Sequence, residues 1–153
     1  MLFRSSKADV IIVDINFDVN LIDLDPKVDF SPLKKAINSI GEKMKSEALV
    51  IVETTVPPGT TSEIIYPYLL NLLKKRFPKI SNVNLAHSYE RVMPGKNYFN
   101  SITEFWRVYA GINPEAAEKC KNFLKTIINT KKFPMRELKS TTASETAKVL
   151  ENS

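Results

Sequence analysis

Apolar residues along the chain fall into two alternating patterns. Ala8–Ile15 (ADVIIVDI) and Ala48–Thr54 (ALVIVET) are short, nearly continuous runs rich in Val and Ile, the signature of strands buried on both faces. Between them, residues 16–30 are polar and aspartate-rich and read as a loop. Ser31-Pro32 then opens a helix, Ser31 as N-cap and Pro32 in the first turn. Leu33, Ile37, Ile40 and Met44 follow at helical spacing and give that helix one apolar face.

After the second strand, Thr60 and Glu63 have capping-box spacing. Ile64, Ile65, Tyr68, Leu69 and Leu72 form a helical stripe that Pro67 should kink or delay. Asn82–His87 and Trp106–Ala110 are further strand candidates. Asn113-Pro114 starts a helix with Ala116, Cys120, Phe123, Leu124 and Ile127 on its apolar face. A short strand is expected near Lys132, and Thr142 with Glu145 is placed to cap a last helix. Strands alternating with helices predict an α/β fold with a mostly parallel sheet. Ligands of such sheets bind at the carboxyl ends of the strands, which singles out the segments after Ile15, Thr54 and His87.

Composition narrows the class. At 153 residues, 43% hydrophobic and 25% charged, the chain has enough material for one globular core. No apolar run approaches the ~20 residues a membrane helix needs. With one cysteine and one histidine, no internal disulfide forms and a metal site would rest on carboxylates, which nowhere cluster at ligand spacing. The single cysteine fits a reducing cytoplasm. The net charge of +5 is spread over predicted helix surfaces (Lys34-Lys35, Lys43, Lys45, Lys74-Lys75-Arg76), so solvated faces account for it better than a nucleic-acid patch does. A mildly basic domain also suits an anionic small substrate.

The segment Thr54–Thr61 carries the most chemistry. It follows a buried strand and enters a helix with two prolines, Gly59 and several hydroxyls. A stiff backbone with oriented hydroxyls suits a cofactor ring or a held water, and three or four of them are expected to face the crevice. Glu53–Thr61 (ETTVPPGTT) resembles the STVPPGTT-type segment of the UDP-glucose/GDP-mannose dehydrogenase family. Ser88–Gly95 (SYERVMPG) resembles that family's S-P-E-R-V-x-P-G motif. Ser144–Asn152 resembles its A-E-x-x-K-x-x-x-N helix, in the right order and covering nearly the whole chain.

The resemblance implies a Rossmann-like NAD-binding domain and oxidation of the C6 alcohol of a nucleotide sugar to a carboxylate. In that family the reaction uses two NAD⁺ and passes through a cysteine-bound thiohemiacetal and thioester. By the same resemblance, Thr55 positions a water and lies against the nicotinamide, with Thr54 and Ile15 beside the cofactor. Glu90 serves proton transfer, Arg91 holds a substrate group or braces its loop, and Lys148 with Asn152 stabilises the oxyanion formed at C6. Lys148 and Asn152 are four apart and share a helix face with Glu145, leaving Ala143, Ala147 and Leu150 as the expected packing side. Taken without the motifs, each residue has a plainer reading: Glu90 as a surface carboxylate paired with Arg91, Lys148 and Asn152 as solvent-facing.

Departures are informative. Val13–Asp18 stands where the family has a V-x-T-P turn, which weakens a cofactor role for Ile15 or Asn16, and Tyr89 replaces the usual proline. None of the four glycines forms a G-x-G-x-x-G phosphate-binding turn, and Cys120 falls on an apolar helix face rather than in the nucleophile's place. The expectation is therefore residues 1–140 as the C-terminal half of an NAD-binding domain lacking its first βαβ unit, and 141–153 as the start of a connecting helix. Such a fragment would be inactive alone, although its parent acts on a UDP-hexose or UDP-N-acetylhexosamine as a homo-oligomer. The competing readings are a non-catalytic dimerising or binding module and a 6-phosphogluconate-type dehydrogenase.

Overall fold

The computed structural model describes all residues except 1–5, 16–18, 23–24, 93–94, 96 and 153, and for 19–22 and 25–27 the backbone alone. In chain order the elements are β1 (Val10–Val13), β2 (Val19–Ile22), β3 (Asp25–Val28), α1 (Ser31–Gly41), β4 (Leu49–Val52), a π-helical turn (Thr60–Ile65), α2 (Tyr66–Arg76), β5 (Asn84–His87), α3 (Tyr98–Thr103), β6 (Arg107–Gly111), α4 (Pro114–Lys125), β7 (Met135–Glu137) and α5 (Thr141–Glu151).

Five strands form one sheet in the order β1-β4-β5-β6-β7. β1, β4 and β5 are parallel, β6 runs antiparallel to β5, and β7 is parallel to β6. The carboxyl ends of β1, β4 and β5 therefore share one edge with the amino ends of β6 and β7. This is the mixed α/β, mostly parallel sheet that the alternating pattern predicts.

β4 shows why an unbroken apolar run forms a strand here. Val50 and Val52 join one core with Leu33, Ile37, Leu69, Leu73 and Leu85, contributed largely by α1, α2 and β5. Leu49 and Ile51 face the opposite core with Cys120, Leu124 and Tyr109 beneath α4. Both faces are covered, so alternation disappears and all four residues are buried. β1 differs: it lies at the sheet edge among the described residues, and Ile12 is 44% exposed. The expected burial of that strand on both faces fails because helices cover the sheet less completely at its margin.

Other local expectations are corrected. Residues 16–30 are not simply a loop, since β2 and β3 pair antiparallel within them. Ser31 is the first helical residue rather than the N-cap, and its N–H is capped by the Asp29 carboxylate at 2.8 Å. The strand expected near Lys132 lies at Met135–Glu137. The final helix is capped by Ser140, which accepts from the Ala143 N–H, not by Thr142 and Glu145. Asn113 caps α4 as expected, accepting from the Ala116 N–H. Pro67 sits in the first turn of α2, whose regular winding starts only after the π-helical turn.

Candidate active site

The Thr54–Thr61 turn leaves the end of β4 and enters the π-helical turn through Gly59, whose φ of +92° is the left-handed geometry that glycine adopts without strain. Most of its hydroxyls turn inward, against expectation. Thr54 Oγ1 donates to the Ile15 carbonyl at 2.6 Å, stitching the end of β4 to the end of β1. Thr60 Oγ1 donates to the Pro57 carbonyl at 2.6 Å, and Thr61 is fully buried. Thr55 alone of the four threonines is half-buried, and its hydroxyl has no hydrogen-bond partner among the described residues.

The cap of this turn is not Thr60 with Glu63. Glu145, 0% exposed, reaches from α5 and accepts from the Gly59 N–H at 2.6 Å through one oxygen and from the Thr61 N–H at 2.7 Å through the other. Burial pushes its carboxyl above the usual range, and the hydrogen bonds from Thr61 and Gly59 offset part of that. Next to it, Ser144 Oγ lies 2.8 Å from His87 Nδ1 at the end of β5. Desolvation drives the His87 pKa down to about 4 against a smaller upward pull from the Thr54 backbone, so the ring is neutral at pH 7, and its buried Nε2 has no hydrogen-bond partner among the described residues.

β4 and β5 pair Val52 with His87, so Thr55 and Glu90 each stand three residues beyond a matched pair. The Glu90 segment is braced from several sides. The buried Arg107 guanidinium donates to the Tyr89 carbonyl at 2.6 Å and lies 3.8 Å from Glu53. Burial pushes the Glu53 carboxyl up, Arg107 holds it back in part, and Glu90 and Asp14 push it further, which places three carboxylates at this end of the sheet. Lys148 Nζ donates to the Glu90 carbonyl at 3.2 Å and sits 5.3 Å from the centre of the Tyr89 ring. The Glu90 carboxylate itself accepts from the Val92 N–H.

The structure thus gathers Ile15, Thr54, Thr55, Glu90 and Lys148 at the edge where the strand ends meet. Arg91 pairs with Glu151 rather than with Glu90, which discards the plain surface-pair reading of Glu90. Asn152 caps the end of α5 one turn past Lys148, exposed, its side chain bonded to none of the described residues. Asn16, Met93 and Pro94 lie outside the described residues. The packing side of α5 is also reversed from expectation. Thr141, Ser144 and Glu145 are buried while Ala143 is exposed and Leu150 is 71% exposed, because the polar stripe finds its partners in the turn and in His87.

Beside the Glu90 segment, Arg91, Trp106, Arg107, Met135 and Arg136 line an open cavity of about 640 Å³. Arg107, Ser144 and the capping role of Glu145 were not apparent from sequence. Their partners lie 18, 57 and 84 to 86 residues away, so no local spacing announces them. Among the described residues, no group of three His, Cys, Asp or Glu could hold a metal ion, and no helix is long and apolar enough to cross a membrane.

The NAD-binding domain of the UDP-glucose/GDP-mannose dehydrogenase family matches residues 2–130. The chain belongs to that family. It is 32% identical to a UDP-N-acetyl-D-mannosamine dehydrogenase of Methanocaldococcus jannaschii, over 97% of this chain and 32% of that protein. With a UDP-N-acetyl-D-glucosamine 6-dehydrogenase of Pseudomonas aeruginosa it shares 34% identity, over 86% of this chain and 30% of that protein. Its fold superposes on the crystal structure of an NDP-N-acetyl-D-galactosaminuronic acid dehydrogenase from Methanosarcina mazei with a TM-score of 0.77 at 29% identity, covering 97% of this chain and 30% of that one. The chain therefore spans about a third of the length of these dehydrogenases.

NAD is the cofactor of the matched domain. Thr54 and Ile15 tie two strand ends together, with the Thr55 hydroxyl beside them, at the sheet's carboxyl edge, where ligands of such sheets bind. For the pyrophosphate, no glycine-rich turn of G-x-G-x-x-G type occurs in these 153 residues.

Proposed function

We propose that this domain forms the nicotinamide side of the active site of a nucleotide-sugar 6-dehydrogenase acting at C6 of a UDP-N-acetylhexosamine or UDP-hexose. The observation that carries this reading is Lys148 on the Glu90 carbonyl, with the Thr55 hydroxyl free at the neighbouring strand end. NAD, when bound, supplies the hydride acceptor. Thr55 can both donate to and accept from a water beside the reacting carbon. Glu90 provides a carboxylate for proton transfer, and the Lys148 ammonium stabilises negative charge developing on the sugar oxygen, with Asn152 next along the same helix. The guanidinium-lined cavity at Arg91 and Arg136 suits an anionic substrate. Cys120 takes no part: it is fully buried, and desolvation pushes its thiol up to about 12.

The 153 residues alone are expected to produce no NADH from NAD⁺ and UDP-sugars, and robust turnover by them would refute that. The decisive experiment replaces the aligned third of the Methanocaldococcus jannaschii enzyme with this chain and follows NADH at 340 nm. Activity that falls on the order of a hundredfold in Lys148→Ala supports the reading. A folded but inactive chimera, or a Lys148→Ala chimera as active as its parent, overturns it.

A dimerising module is the second reading, favoured by β1 lying at the sheet edge among the described residues with Ile12 exposed. Light scattering after size exclusion separates the two, since a monomer at high concentration removes this reading.

A further inference from the structure

Glu145 has no part in the chemistry proposed above, yet the structure places a carboxylate where packing alone would favour an apolar side chain. Its residue is 0% exposed, and both of its oxygens are committed to backbone N–H groups two residues apart in the same turn, Gly59 and Thr61. A single hydrogen bond lets a helix pivot about the contact. Two divergent ones, at 2.6 and 2.7 Å, fix both its rotation and its height. The adjacent Ser144 is tied to His87 at 2.8 Å, and Ser62 Oγ approaches Thr142 Oγ1 at 3.5 Å.

We propose that Glu145 is a positioning residue, a two-pronged clamp that sets the register of α5, and with it Lys148, against the Thr54–Thr61 turn. Lys148 follows three residues later on the same stripe and reaches the Glu90 carbonyl at 3.2 Å. A slip of one residue moves a helix by about 1.5 Å along its axis, enough to take that contact beyond hydrogen-bond range. Gly59 completes the device, because its positive φ turns its N–H toward the carboxylate. The functional meaning of the clamp rests on Thr55 and Lys148 serving one site. The clamp itself is testable without cofactor or substrate, so its failure is distinct from failure of that reading.

The test is NMR on the full chain. In the wild type, scalar couplings across the hydrogen bonds should connect the Gly59 and Thr61 amide nitrogens to the Glu145 carboxyl carbon. Labelling the five tyrosines with 3-fluorotyrosine gives a Tyr89 signal that senses the Lys148 ammonium above its ring. Glu145→Gln should retain at most one of the two bonds. Amide exchange at Gly59 or Thr61 then rises on the order of ten- to a hundredfold, and the Tyr89 fluorine signal moves. Leu124→Ala, a cavity under α4 remote from this contact, is the control for general destabilisation and should leave the Tyr89 signal in place. Glu145→Asp, which keeps the charge but is one methylene short, should behave like Glu145→Gln. The proposal is overturned by absent couplings in the wild type, by a folded Glu145→Gln with wild-type exchange and fluorine shift, or by a Leu124→Ala that moves Tyr89 equally. If neither Glu145 variant folds where Leu124→Ala does, the residue is a stability element only and the positioning role fails.

Discussion

Acid should weaken this fold through one residue. His87 is the chain's single histidine, 0% exposed at the end of β5, with Nδ1 against Ser144 and Nε2 without a partner among the described residues. Burial lowers its pKa from 6.5 to about 4, so the native protein keeps it neutral while the unfolded chain protonates it. The unfolded state therefore binds more protons between those values. The contribution of His87 to stability is complete above pH 6.5 and is lost as pH falls toward 4. A drop from 6.5 to about 4 corresponds to about 3 kcal/mol in full, of which about 2 kcal/mol is gone by pH 5 and most by pH 4. With a urea slope of roughly 2 kcal/mol per molar, the midpoint should drop by about 1 M between pH 7 and pH 5. Glu53 and Glu145, whose carboxyls are raised by burial, act in the opposite sense, so the quantity to measure is a difference. His87→Asn keeps a polar atom near the Nδ1 position and cannot titrate. Its stability gap from the wild type should narrow by about 2 kcal/mol from pH 7 to pH 5. A gap that is constant with pH would show that His87 is not desolvated in solution.

Two further outcomes follow from packing and burial. A Cβ at Gly111 would lie 2.2 Å from the Ala117 backbone nitrogen, whereas at Gly59 it would meet only the Glu63 carboxylate and a positive φ. Urea denaturation should find Gly111→Ala destabilised by roughly 3 kcal/mol or more and Gly59→Ala by about 1–2 kcal/mol, and the reverse order would contradict the close approach of β6 to α4. Cys120, with its thiol pushed up to about 12 by burial, should resist a thiol reagent at pH 8 in the folded protein and react fully in urea; fast labelling of the native chain would place it at the surface.

The parts of the fold that could be read from sequence are those whose cause is local or periodic. β4 shows as a strand because both its faces are covered by helices, and α4 shows its start because Asn113 and Pro114 act within their own first turn. The β2–β3 pair escapes because it carries Pro26 and several charges and has no alternation to betray a strand. Residues 141–152 mislead for a different reason. Polar stripes normally face water, and this one is buried because its hydroxyl and carboxylate find partners on elements 57 to 86 residues earlier. The site divides in the same way. Thr55, Glu90 and Lys148 are marked by motifs that resemble a family, while Arg107 and the clamping role of Glu145 emerge only when distant segments meet. Three-dimensional contacts also reassigned the hydroxyls of the turn: Thr54 and Thr60 bond inward, Thr61 is buried without a partner among the described residues, and Thr55 alone of the four is half-buried.

The contact between Glu145 and the Gly59 turn also has a consequence for how the protein is made. It joins residues 86 apart, so it closes one of the larger loops in the chain. A ribosome adding about 5–20 residues per second needs on the order of ten seconds to pass from one partner to the other. Until α5 emerges, the Gly59 and Thr61 amides can bond only to water, and the half-made sheet exists with its most function-bearing turn unfinished. On this ordering the sheet and its helices can form first, and the turn gains its two carboxylate contacts only when α5 docks.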